Sequence, residues 1–314
     1  MRSKISKIMS LILIAAMIVT CANGYSGVTR VWADENMLIS AAPETANVYV
    51  NITDDNGKLV VRQQSVEVTD VDGDGLLTVS DALYAAHEKY YTGGAEAGYA
   101  FEDAANYGLT GYSLKKIWGI ENGGSYGIYV NDAPALSAQD TVAEGDYVSA
   151  FCYTDLQNYS DTYSYFNKRI IEIQRGESVT LKLYNLGYDE NWEIKKEVVK
   201  KAPILDNNKE TEYVTNKKGK VTITFEKIGS HLITAASPKG KNLVTPTCIV
   251  SVLPNKGNIV TIDGIKYSVV KAGSLINNKK GKVTCDVSKV EEGKKIPKTI
   301  KIGGITYKVT KVEE

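Results

Sequence analysis

From residue 47 to the end, the sequence is written mostly in alternating apolar and polar residues, and one window switches clearly to helical spacing. Runs such as "NVYVNIT", "ESVTLKLYNL" and "KVTITFEK" repeat with a period of two, which suits a strand with one face in a core. The exception is "SDALYAAHEKYY", where Val79, Leu83, Ala86 and Tyr90 fall on one helical face. A chain patterned this way builds sheets and spends its helix in its first third. A second, shorter helix is expected at "SLKKIWG", with Leu114, Ile117 and Trp118 inward.

A length of 314 residues is too great for one core and predicts separate modules. Charge distribution agrees: residues 34 to 155 carry roughly fifteen more acidic than basic groups, while the stretch after 255 is basic by roughly seven. The first module, 45–155, opens with a hairpin, "NVYVNIT", the turn "DDNG" and a run ending "SVEV". The helix follows, then a Gly- and Tyr-rich excursion, then the strands "SYGIYVND" and "EGDYVSAFCY". This is a β-grasp order in an α+β module. Residues 154 to 169, "TDLQNYSDTYSYFNKR", read as a linker or edge strand. From there to 254 the pattern is strands only, and a module at 165–254 is expected to be an immunoglobulin-like β-sandwich. The tail, 258–314, repeats a strand, a glycine turn and a strand at "VTIDGIKYSVV" and "IKIGGITYKVT", which predicts a small module of two β-hairpins with a thin core. The fold class expected is multi-domain, α+β followed by all-β.

Residues 1–33 combine Arg2, Lys4 and Lys7, the apolar run "IMSLILIAAMIVT" and small residues before Ala33, with Ala22 as an alternative cleavage point. This predicts a secretory signal peptide, and no second long apolar segment follows to anchor the mature chain. Thr20 before Cys21 argues against lipid attachment. Cys152, Cys248 and Cys285 each lie on the apolar face of a strand pattern and read as small buried hydrophobes.

The stretch "DVDGDGLLTVSD" crowds three aspartates at alternate positions, where their charges repel unless a cation sits among them. Counted from Asp70, it has the EF-hand register: Asp70, Asp72 and Asp74 at positions 1, 3 and 5, Gly75 at 6, the Leu76 carbonyl at 7, the apolar Leu77 at 8, Thr78 at 9 and Asp81 at 12. Calcium takes six to eight hard oxygens, and these residues supply them. Aspartate rather than glutamate at position 12 is the dockerin variant of such a loop, for which a millimolar to micromolar site is expected. The alternative is that Thr78 and Asp81 form a capping box for the following helix and the other aspartates are solvated.

Beside these readings, "TVSDALYAA", Tyr129, Val130 and Asn131, and Gly145, Asp146 and Val148 resemble the corresponding motifs of a bacterial domain of unknown function that is similar to the C-terminal β-grasp domain of transcobalamin. The resemblance spans about residues 45 to 155. Asp132 stands where that family usually has glycine, so cobalamin binding does not carry over with it. "KVTITFEKIGSHLITAAS" resembles bacterial immunoglobulin-like surface modules, and the last strands look like a lead-in to surface-protein repeats. Together the resemblances imply a secreted or cell-surface protein of a Gram-positive bacterium.

No enzyme chemistry is legible. The chain has two histidines, and no nucleophile elbow, zinc pair or phosphate loop. Twenty tyrosines against four phenylalanines favour surfaces that are apolar yet form hydrogen bonds, and Tyr99, Tyr107, Tyr112, Tyr126 and Tyr129 are candidates for ligand contact or for filling a small core. The ligand would be a glycan, a protein or a small molecule; nucleic acid is not expected. Lysines in the tail suit an anionic cell-wall polymer or the protection of a strand edge. The expected function is ligand binding or adhesion by a calcium-stabilised module, with a structural spacer or a corrinoid-binding surface protein as alternatives.

Overall fold

The computed structural model describes residues 45–107, 110–123, 125–188, 191 and 193–313, and counts of structural features refer to these. The leader expected at 1–33, with Cys21, lies outside them. The described chain is β-rich, in several sheets with few helices.

In the first third, β1 (Thr45–Thr53) and β2 (Leu59–Thr69) form the expected antiparallel hairpin, followed by helix α1 (Val79–Tyr90). Short strands β3 (Ala100–Asp103) and β4 (Tyr112–Lys116) pair with each other, and β5 (Tyr126–Val130), β6 (Ala133–Pro134) and β7 (Tyr147–Cys152) complete the main sheet. Its order is β2-β1-β7-β5-β6, with β1 and β7 parallel. Val79, Leu83 and Ala86 on α1 share a core with Val48, Val50, Val66 and Val68, so the helix covers one face. Tyr90, expected on that face, is exposed, and the stripe continues instead through fully buried His87. The helix expected at "SLKKIWG" is strand β4. Pairing with β3 satisfies its backbone and still buries Leu114, with Ile117 buried just beyond.

The next group of strands opens at Asp161, four residues before the start expected for the second module. Strand β8 (Asp161–Phe166) is followed by β9 (Ile170–Gln174), β10 (Ser178–Tyr188), β11 (Ile194–Val198), β12 (Pro203–Asp206), β13 (Lys209–Val214), β14 (Lys220–Thr224), β15 (Gly229–Ala235), β16 (Asn242–Leu243) and β17 (Cys248–Leu253). One sheet runs β11-β10-β8-β16, with β14 on the first half of β10; the other runs β13-β12-β15-β17-β9. Leu181, Leu183 and Ile223 from the first sheet meet Ile204, Ile233 and Val250 from the second in one core. The segment expected as a linker or edge thus contains an interior strand. Tyr163, Ser164, Tyr165 and Phe166 are all buried, because β8 is covered on both faces and loses the alternation that marks a half-exposed strand.

The tail forms β18 (Ile259–Ile262), β19 (Ile265–Lys271), β20 (Gly281–Asp286), β21 (Thr299–Ile302) and β22 (Ile305–Val312). Both repeated hairpins are present, but they are neighbours of β20 in the order β18-β19-β20-β22-β21. Their turns, Asp263-Gly264 and Gly303-Gly304, have φ of 51° and 79° and of 58° and 82°, as primed hairpin turns require. The equivalent Tyr267 and Tyr307 are fully buried, and Leu253 from β17 joins this core, which is thicker than two isolated hairpins would give.

Polar contacts join neighbouring modules. Asn51 Nδ2 donates to Thr247 Oγ1 at 3.1 Å, Thr247 Oγ1 donates to Gln63 Oε1 at 2.9 Å, and Gln63 Nε2 donates to the Arg169 carbonyl at 2.9 Å. Ser251 Oγ donates to the Gly303 carbonyl at 3.0 Å between the second and third. Among the described residues no helix is long and apolar enough to cross a membrane.

Candidate metal centre

The loop from Asp70 to Asp81 joins β2 to α1. Carboxylate oxygens of Asp70, Asp72 and Asp74 lie within 4.8 Å of one another. The loop's own amides arrange them: Asp70 accepts from the N–H groups of Gly73 at 2.7 Å and Gly75 at 2.8 Å, and Asp74 accepts from Leu76 N–H at 2.8 Å. Gly73 and Gly75 have φ of 77° and 84°, which lets the chain turn this tightly. Leu77, at the apolar position of the register, is buried.

Electrostatics divide the three. The Gly75 amide, with those of Gly73 and Asp74, holds Asp70 below its usual ionisation range. Asp72 is pushed up by partial desolvation and by the neighbouring charges of Asp74, Asp81 and Asp70. Three hard oxygen donors at this spacing suit a divalent cation such as calcium or magnesium, with the Leu76 carbonyl next in the loop as the expected fourth donor.

Thr78 and Asp81, expected at positions 9 and 12 of the loop, are engaged with the start of the helix. Thr78 caps α1, accepting from Asp81 N–H at 3.2 Å, while Asp81 Oδ2 accepts from Thr78 N–H at 2.8 Å and Thr78 Oγ1 at 2.7 Å. Asp81 Oδ1 accepts from Val71 N–H at 3.1 Å, so this buried carboxylate ties the loop's entry to its exit. The reciprocal cap is the alternative weighed in the sequence.

The candidate tyrosines do not form one patch. Tyr99 is buried, its hydroxyl donating to Ser80 Oγ at 2.9 Å; Tyr112 packs against Phe101 at 4.5 Å between ring centres. The Tyr107 side chain lies outside the described residues. Tyr126 and Tyr129 do come together, in a cleft of about 600 Å³ that also takes in Tyr153, Tyr159 and Tyr188. Those last three escaped sequence reasoning, since they come from separate elements and share no local spacing.

Neither histidine is free to act as a base. His87 accepts at Nε2 from Trp118 N–H at 2.8 Å and donates from Nδ1 to the Leu83 carbonyl at 2.7 Å; His231 lies 2.6 Å from Asp206 Oδ2 and 2.7 Å from the Lys227 carbonyl. Cys152, Cys248 and Cys285 are free thiols and buried, as expected, and burial pushes the first two up to about 12. No protein-family model matches the chain, and no curated protein matches it.

Proposed function

We propose that this chain is an exported, non-enzymatic surface protein whose first module is stabilised by calcium and which binds a ligand at the bacterial surface. The observation that carries the calcium reading is the convergence of Asp70, Asp72 and Asp74 within 4.8 Å. In this reading the ion neutralises the clustered charge and braces the β2 exit against the start of α1. A helix laid on a mixed sheet, with its first strand parallel to its last, supports a β-grasp assignment akin to the transcobalamin-like domain. Two facing sheets, with β9 parallel to β17 at one edge, support an immunoglobulin-like second module.

The non-enzymatic reading is supported by histidines whose ring nitrogens are all engaged and by cysteines held as inert thiols. The lysine-rich third module would contact an anionic cell-wall polymer. A second reading, a spacer in a surface assembly, draws on the buried Asn51–Gln63–Thr247 contacts that join the first two modules.

Titrating calcium into the chelator-treated protein by calorimetry tests the first reading. One saturable site that Asp72→Asn with Asp74→Asn abolishes is expected; equal heat from the variant would remove calcium from the account.

A further inference from the structure

We propose that the tyrosine-lined cleft between the first and second modules binds a neutral carbohydrate. Its walls come from the first sheet (Tyr126, Tyr129), the segment following β7 (Tyr153, Tyr159) and the end of β10 (Tyr188). At about 600 Å³ it falls within the range of small-molecule sites.

The rings are held before any ligand arrives. Tyr129 forms the floor, stacked on Tyr163 with ring centres 3.9 Å apart and planes 7° from parallel. Tyr153 sits edge-on between Phe151 at 5.2 Å and Tyr159 at 5.3 Å. The Tyr126 hydroxyl lies 2.7 Å from the Lys115 carbonyl and 2.9 Å from that of Ile120, and accepts from Asn122 N–H at 2.6 Å. Tyr159 and Tyr188 remain 55% and 51% exposed, so large aromatic surface faces the cleft from its rim. Burial first, then the nearby Tyr188 and Tyr153 phenols, pushes ionisation of Tyr129 upward, in keeping with hydroxyls that converge on one space.

Charge narrows the ligand class. Among the described residues of the lining Asp161 is the one carboxylate, and its oxygens already accept from Thr154 N–H, Thr154 Oγ1, Asp155 N–H and Asn242 Nδ2. With that charge already satisfied within the protein, an ionic ligand finds no unpaired partner among the described lining residues, whereas ring faces and phenols together match a solute with an apolar face and a rim of hydroxyls. A pyranose has that construction.

The inference rests on reading the chain as a binding protein. Calorimetry of the full secreted chain with cellohexaose, chitohexaose and mannohexaose, and with choline and polygalacturonate as charged controls, tests it. At least one neutral hexasaccharide should bind saturably, and Tyr159→Ala or Tyr188→Ala should weaken it about tenfold without altering the calcium response. Silence from all three neutral sugars, binding of choline alone, or an unchanged affinity in the double variant would overturn the proposal. Calcium stabilisation that persists beside such silence keeps the metal reading intact. Binding to purified cell-wall sacculi that survives the double substitution would overturn the cleft and keep the binding class.

Discussion

Asp132, in the turn between β5 and β6, forms an ion pair with Arg169, which leads into β9, and so ties the first module to the second. Tyr163 sits with both, donating its hydroxyl to Asp132 Oδ1 at 2.9 Å and accepting from Arg169 Nη2 at 3.0 Å. The Arg169 guanidinium also lies over the rings of Tyr147 and Tyr165. Asn131 and Asp132 have φ of 50° and 70°, a primed turn in which glycine is the less strained residue. Aspartate here accepts backbone strain and supplies the partner that Arg169 needs.

Asp132→Gly should therefore destabilise the protein despite an easier backbone, by about 2 to 4 kcal/mol, because the largely buried Arg169 loses its countercharge. A double-mutant cycle with Arg169→Met, read by urea unfolding, should give a coupling of at least about 1.5 kcal/mol. A coupling near zero would mean that the pair does not hold the junction.

His87 should make the first module acid-sensitive. It is fully buried among Tyr91, Tyr99 and Trp118, and desolvation pushes it down to about 4, against about 6.5 when unfolded. Above pH 6.5 both states are neutral and stability is unaffected. As pH falls below 6.5 the unfolded chain takes up a proton that the folded chain refuses until about 4, so stability drops by about 3 kcal/mol over that window. His87→Gln should flatten this part of the profile in denaturant titrations at pH 7 and pH 4. Identical pH slopes in variant and wild type would contradict it.

The cap and the metal triad should separate experimentally. Thr78→Ala removes the side chain that caps α1 and should cost about 1 kcal/mol in chelator and calcium alike. Asp72→Asn should leave chelator-treated stability nearly unchanged but abolish the calcium gain, which reaches about 2.7 kcal/mol at a hundredfold excess over Kd. Thermal scans of both variants with and without calcium check the division; a calcium response lost equally in both would merge the two roles.

Gly127 lies opposite Phe151 in the β5–β7 register, and a Cβ there would stand 2.1 Å from Phe151 Cζ. Gly127→Ala should destabilise by about 1 to 3 kcal/mol through overpacking, with Phe151→Ala recovering part of the loss in the double variant. Unchanged unfolding midpoints for Gly127→Ala would show that the ring moves aside freely.

Local pattern made much of this protein legible. The β1–β2 hairpin, α1, the strands of the second module from Ile170 onward other than β12, β13 and β16, and both tail hairpins follow from period and turn chemistry carried by neighbouring residues. The convergence of Asp70, Asp72 and Asp74 was readable for the same reason, since their alternate spacing lies within five consecutive residues. The β12–β13 hairpin was missed although Asn207 and Asn208 adopt φ of 49° and 64° in its turn, because the inward side of "KETEYV" offers only Thr211 and Tyr213, too little apolar alternation to announce a strand.

What only the tertiary structure decided depends on contacts between distant residues. Tyrosine can line a core, brace a turn or face water, and the one-dimensional pattern is the same in each case; burial of Tyr99 and exposure of Tyr159 were set by what packed beside them. Strand β8 was hidden because covering both its faces erased its alternation, and the cleft of five tyrosines was hidden because its walls meet only once two modules are joined. Short-range order is encoded by backbone and side-chain preferences within a few residues, whereas juxtaposition is a property of the whole free-energy balance.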